Sequence, residues 1–240
     1  MEMKRMAGVI SDKVLGIIAV VAVAAGAFWA TGSAAEKAVK LPPPASDTTA
    51  SAAMQETAVF AGGCFWGVQA VFQHTNGVLN AVSGYAGGRK ETANYQMVTG
   101  GQTGHAEAVQ VTYDPRQVSY GKLLQIYFSV AHDPTQLNRQ GPDHGTQYRS
   151  AVFYKDADQK QVTERYIAQL DAARAYPAKI VTQVVPLTAF YPAEAYHQDY
   201  ATLNPQSPYI IAFDKPKIVN LKAVMPEVFR EKPVLVAARK

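Results

Sequence analysis

Hydrophobic and polar positions divide this chain into stretches of different character. Val14 to Ala30 is apolar all round, 17 residues without a charge, with Lys4, Arg5 and Lys13 ahead of it and Thr31-Gly32-Ser33-Ala34-Ala35 behind. A basic start, an apolar centre and a small-residue exit predict a secretory signal, cleaved after Ala34 or Ala35. Seventeen residues also reaches the lower edge of a spanning helix, so residues 1–35 are expected as a signal peptide or an uncleaved N-terminal membrane anchor. Either one exports the remainder to the periplasm, and the lack of a twin-arginine pair favours the general secretory route. Residues 36–56 are rich in Pro, Ala, Ser and Thr with almost nothing large to bury, which predicts a flexible linker, stiffest at Pro42-Pro43-Pro44.

From residue 57 onward, to residue 240, short apolar runs alternate with helical spacing, as in one cored domain. Thr57–Ala61, Val78–Tyr85, Ala106–Tyr113, Ser150–Tyr154 and Lys179–Val185 read as strands. A first helix carries Val68, Val71 and Phe72 and ends near Asn76-Gly77. Ser119 can cap a second, with Leu123, Leu124, Ile126, Tyr127 and Phe128. Asp156 can cap a third, running to about Tyr176 with a stripe of Val162, Tyr166, Ile167 and Leu170. This alternation predicts an α/β or α+β sandwich and fixes no topology beyond it. Two long polar connections, Ala131–Arg149 and Thr188–Pro208, lack periodicity, and loops of that length inside a domain are usually functional or disordered. The last thirty residues, from Ile211, are expected as an extra C-terminal arm.

Composition adds one decisive fact. Apolar residues at 48% and charged residues at 18% exclude a disordered chain, and a net charge of +4 without any basic run makes a nucleic-acid surface a poor reading. The decisive number is the single cysteine, Cys64. It excludes an internal disulfide, a Cys-x-x-Cys pair and any multi-cysteine metal site.

Cys64 stands in Gly62-Gly63-Cys64-Phe65-Trp66-Gly67, directly after a strand and at the first turn of a helix. Unpaired backbone N–H groups and the positive end of the helix dipole there favour a thiolate, the nucleophilic form. Flanking glycines permit close approach of backbone or substrate, and Phe65 and Trp66 supply an apolar wall. The plain alternative is a buried inert cysteine, which explains the glycines and the Trp poorly. Glu107, on the alternating strand after Gly104-His105, can face a pocket, where an apolar setting keeps a carboxyl protonated as an acid. An exposed strand glutamate is the commoner case. The five histidines form no close metal-binding pair, so no metal is expected, but His105, His144 or His197 could partner Cys64. That leaves a Cys–His hydrolase or acyltransferase and a non-catalytic exported binding module as rival readings. Tyr95, Tyr148, Tyr196 and Tyr200 lie off the apolar stripes, where their hydroxyls could serve a substrate oxygen.

Three blocks, Gly63-Cys64-Phe65-Trp66-Gly67, Gly104-His105-Ala106-Glu107 and Asp143-His144-Gly145-Thr146-Gln147-Tyr148-Arg149-Ser150, in this order and spacing resemble the A-type peptide-methionine-sulfoxide reductases. The resemblance covers about Val59 to Pro208 and implies a two-layer sandwich with a mixed sheet, a ferredoxin-like plait with extended loops. It also implies reduction of methionine-S-sulfoxide in proteins. On matching positions, Cys64 is the implied nucleophile, passing through a sulfenic acid, and Glu107 the acid that protonates the sulfoxide oxygen. Tyr95 and Tyr148 are the implied hydroxyls on that oxygen, Asp143 helps position them, and Phe65 and Trp66 surround the substrate methyl. Many members carry recycling cysteines near the C-terminus; Gln206 to Lys240 has none. No bound cofactor is expected. The reductant is then external: a thioredoxin-like protein, glutaredoxin or small thiol, with a membrane-delivered partner expected outside the cytoplasm.

Overall fold

A computed structural model describes residues 36–49 and 53–236. The expected signal or anchor at residues 1–35 lies outside the described residues. Among those that are described, no helix is long and apolar enough to cross a membrane.

The chain begins with β1 (Glu56–Ala61), α1 (Phe65–Gln73) and β2 (Val78–Ala86), followed by a single-turn α2 (Tyr95–Val98), β3 (Ala106–Tyr113) and α3 (Tyr120–Ile126). A small hairpin, β4 (Arg139–Gln140) and β5 (Asp143–His144), precedes β6 (Ala151–Tyr154) and α4 (Ala157–Ala172). Then come β7 (Gln183–Pro186), β8 (Phe190–Pro192), α5 (Tyr200–Leu203), a π-helical turn over Ile210–Asp214 and α6 (Lys215–Val224). The main sheet runs β7-β6-β1-β3-β2-β8. Its central pairs are antiparallel and β6–β7 is parallel, so the sheet is mixed. Strands β6-β1-β3-β2, with α1 and α3 as the connecting helices, form the ferredoxin-like plait, and β7 and β8 widen it at either edge.

Strand alternation assigns the two faces. On β3, Val109, Val111 and Tyr113 join Phe60, Phe72, Tyr127 and Leu123 in the main core. Ala106 and Ala108 turn to the opposite face with Ala61, Ala86, Ala151 and Phe153. Small side chains there leave room for Arg149, whose guanidinium donates to the carbonyls of His105 at 3.1 Å and Gly104 at 3.0 Å. Both predicted caps form: Ser119 accepts from the Lys122 amide at 3.1 Å and Asp156 from the Gln159 amide at 2.8 Å.

Three expectations change. The helix after Asp156 stops at Ala172, short of Tyr176. The strand expected over Lys179–Val185 starts only at Gln183, as β7. The stretch expected to be a flexible linker is, over residues 36–49, a strap bound to the helical face. Leu41 is buried, and its carbonyl accepts from Gln125 at 2.7 Å. The Pro42 carbonyl takes the Tyr166 hydroxyl at 2.7 Å, and Asp47 accepts from the Gly121 amide at 2.7 Å. A proline-rich segment can do this because it exposes carbonyls in an extended form that neighbouring donors satisfy without a sheet.

Candidate active site

β1 ends at Ala61, and Gly63, at φ +88°, turns the chain so that Cys64 becomes the residue before α1. The left-handed turn needs glycine, and its open side is filled by Gln140: a Cβ on Gly63 would lie 2.6 Å from Gln140 Cβ. At Gly62 the neighbour is His132, 2.9 Å from the position a Cβ would take. The glycines therefore admit the protein's own side chains rather than leaving room for a substrate.

Cys64 is half-buried. Period-two alternation on β3 puts Glu107 on the same face as Val109 and beneath α1. There its carboxylate, 2% exposed, accepts from the Phe65 amide at 3.1 Å. The carboxyl thus occupies one of the orphan donors of the helix start. Burial pushes its pKa up to about 8 against the opposing pull of that amide, with Asp143 and Asp214 adding to the rise. Glu107 holds its proton at neutral pH.

The expected thiolate is not the resting form. Burial, then the charges of Glu107, Asp214 and Asp143, push the Cys64 thiol up, and the Trp66 amide at the helix start opposes this without winning. Without a bound substrate, the site holds a thiol beside a neutral carboxyl.

The aromatic wall is larger than Phe65 and Trp66. Trp66 stacks on Tyr200 with ring centroids 3.8 Å apart, meets Tyr209 edge-on at 5.8 Å, and its indole N–H donates to His197 Nδ1 at 3.2 Å. Phe65 lies 5.1 Å from the His197 ring and 5.9 Å from that of Tyr85. Tyr95 packs on His197 at 4.5 Å, and its amide donates to Glu194 at 2.9 Å; the Tyr85 hydroxyl donates to the other Glu194 oxygen at 2.9 Å. Tyr148 feels the charges of Glu107, Asp143 and Cys64, which with burial hold its hydroxyl protonated. Asp143 accepts from the Tyr209 hydroxyl. Cys64, Phe65, Trp66, Tyr95, Glu107, Asp143 and Tyr148 thus all gather at one place.

Sequence reasoning missed Tyr209, Glu194 and Asp214. The available signal was the run Asn204-Pro205-Gln206-Ser207-Pro208-Tyr209, where an aromatic follows a polar loop already suspected of function. No candidate histidine bonds to Cys64 among the described residues. His105 is occupied by the Gly88 amide at 3.2 Å and the Arg89 carbonyl at 3.0 Å, His197 by Trp66, and His144 lies exposed on β5. The geometry therefore gives the Cys–His hydrolase reading no couple to use.

Comparison with known proteins identifies a family. A family model described as peptide methionine sulfoxide reductase matches residues 56–227. A protein of Mesorhizobium japonicum named peptide methionine sulfoxide reductase MsrA 2 is 62% identical over 181 residues, 75% of this chain and 93% of that one. Its namesake from Synechocystis is 55% identical over 163 residues, 68% of this chain and 76% of the relative. Among solved structures, reduced Mxr1 of Saccharomyces cerevisiae aligns with a TM-score of 0.58 at 34% identity, covering 67% of this chain and 91% of the other. Methionine sulfoxide reductase A of Corynebacterium diphtheriae aligns at 0.55 with 36% identity, covering 71% and 85%. A family model matched over most of the chain, and sequence and fold shared with these relatives over two thirds of its length or more, lead to one conclusion: the chain belongs to the A-type peptide methionine sulfoxide reductase family, whose members are oxidoreductases.

Proposed function

We propose that the protein reduces methionine-S-sulfoxide in proteins and peptides through a sulfenic acid on Cys64. The observation that carries this reading is Glu107, neutral at pH 7, on the amide of the residue next to the thiol. A sulfoxide sulfur is a poor electrophile until its oxygen is protonated. Glu107 gives that proton while the hydroxyls of Tyr95 and Tyr148 hold the oxygen, and Asp143 is positioned with them. Phe65 and Trp66 enclose the substrate methyl.

Cys64 gives up its own proton to the site as it attacks. A sulfur–sulfur bond forms, the protonated oxygen passes from the substrate sulfur to Cys64 Sγ as the S–O bond breaks, and the sulfur–sulfur bond then breaks with its electron pair leaving on the sulfide, so that Cys–SH and R₂S=O become Cys–SOH and R₂S. Protons balance without any from solvent: the one lost by the thiol replaces the one Glu107 donates. The resting thiol and neutral acid suit this exchange, since neither charge has to be carried until the sulfoxide is present.

Cys64 has no second cysteine to attack its sulfenic acid. A first external thiol therefore forms a mixed disulfide and releases water, and a second thiol frees Cys64 and leaves as the disulfide. Thioredoxin-like proteins, glutaredoxin and small thiols all supply this chemistry. The basic, apolar and small-residue pattern of residues 1–35 supports export to the periplasm, soluble or anchored, where a membrane-delivered thiol donor fits.

Single turnover tests the first half-reaction. Mixed with one equivalent of methionine sulfoxide and no reductant, the protein releases methionine, and Cys64→Ser releases none. Release by Cys64→Ser would remove the cysteine from the reaction. Trapping on Cys64 with resolving-cysteine variants of candidate reductases tests the second half, and no trapped protein leaves small thiols as the donor.

A further inference from the structure

A buried ionic group that the reaction above does not use lies under the first turn of α1. Gly67, three residues after Cys64, has no side chain, and a Cβ there would lie 2.2 Å from Asp214 Oδ1 and 3.2 Å from Lys217 Cδ. Asp214, closing the π-helical turn, is 0% exposed, and Lys217, in the first turn of α6, is 5% exposed. Lys217 Nζ stands 3.7 Å from Asp214 Oδ1 and 3.9 Å from Glu36 Oε2, the latter brought in by the strap. Glu36 also accepts from Gln140, the side chain packed on Gly63, and its backbone carbonyl takes Asn220 at 3.0 Å. Strap, hairpin and C-terminal helix thus converge on the turn that carries the nucleophile.

The charges facing Cys64 are otherwise acidic. Glu107 comes from β3, Asp143 from the hairpin and Asp214 from the π-helical turn; the Tyr148 and Tyr209 hydroxyls are the remaining titratable groups, and His197 is held neutral by burial. A thiolate among these groups needs a cation. Lys217 is the ammonium that feels the charge of Cys64, together with those of Glu36, Asp214 and Asp143. Its ion pairs to both carboxyls are longer than hydrogen bonds, so neither carboxyl takes its charge by direct hydrogen bonding.

We propose that Lys217 is the positioning cation of this site: held beneath α1 by Asp214 and Glu36, it offsets the negative charge that Cys64 takes on before attack. It touches no substrate and gives no proton. Its effect is to make the thiolate accessible at neutral pH in a pocket that would otherwise forbid it. The inference rests on Cys64 being the nucleophile, and the test below separates the two.

The test is the rate of Cys64 alkylation by iodoacetamide against pH, in the full chain, followed by intact mass. Lys217→Met is expected to raise the midpoint by about one pH unit or more and to slow single-turnover methionine release at pH 7 about tenfold, with substrate affinity little changed. Lys217→Arg, keeping the charge, restores the midpoint. A folded Lys217→Met protein with an unmoved midpoint overturns the proposal, as does Lys217→Arg behaving like Lys217→Met. The second measurement needs no methionine variant. The lysine ¹³Cε resonance that Lys217→Arg removes is followed by NMR in the wild-type chain and in Cys64→Ser. It should shift with the midpoint of Cys64 titration in the former only, and a flat resonance in both overturns the coupling. Normal alkylation without methionine release would instead sink the reductase mechanism and leave the Lys217 coupling standing.

Discussion

At Glu107 one carboxyl carries two consequences of the same burial. Its surroundings keep it protonated at pH 7, and the hydrogen bond it accepts from the Phe65 amide holds it where the sulfur reacts. Glu107→Gln preserves the shape and a hydrogen-bond donor but has no proton to give, so turnover should fall by about 10²- to 10⁴-fold, read as single-turnover methionine release. The pH dependence has a definite sign. With a pKa of about 8, the acid form is lost as pH rises through that value, so the first half-reaction declines on the alkaline side even though more thiolate is present. A rate that keeps climbing from pH 7 to 9 would assign the proton to another group. Cys64, Glu107 and the two tyrosines were legible because their motifs place them on strand and helix boundaries. Their charge states were not, because a pKa here depends on Asp143 and Asp214, which the fold brings in from 79 and 150 positions away along the chain.

Among the elements, the β1–α1 unit and the caps of α3 and α4 followed directly from local pattern. The C-terminal arm did not. Lys215-Pro216-Lys217 reads as polar and helix-breaking, yet proline is tolerated at a helix start, and Lys217 is buried by ion pairs that periodicity cannot detect. The packing of this arm on α1 is close: Gly67→Ala must displace the fully buried Asp214 carboxylate. That substitution should cost about 1–3 kcal/mol, measured by denaturant unfolding, because the neighbour is a buried charged group. An unchanged midpoint would mean that the arm leaves α1 easily. The strap was misread for a related reason: low apolar content argued for a linker, while its hold comes from one buried side chain, Leu41, together with backbone carbonyls and Asp47, which carry no hydrophobic signal.

For the molecule as a whole, the plait was implied by motifs and is borne out by the strand order β6-β1-β3-β2. The edge strand β8 and the roof of aromatic side chains from Tyr200 and Tyr209 needed the tertiary structure. Stability should carry the signature of the buried acids. Folding lifts Glu107 to about 8 and Glu36 to about 7, so above pH 7 the native chain retains protons that the unfolded chain has lost. Stability then falls as pH rises, by about 1 kcal/mol per unit for Glu107 alone, or on the order of 2–4 °C in Tm. Buried His132, held down to about 3, is neutral in the native chain and mostly neutral in the unfolded one in this window, so it opposes the trend only weakly. Melting curves between pH 7 and 8 check it, and Glu107→Gln should flatten the slope.

The central claim is that a lone cysteine is oxidised by the substrate itself. Intact mass of the full chain, mixed with methionine sulfoxide and a dimedone-type trap in the absence of any reductant, tests it most directly. One adduct on Cys64 for each methionine released is the predicted result; methionine release with Cys64 unmodified, or no release at all, contradicts it.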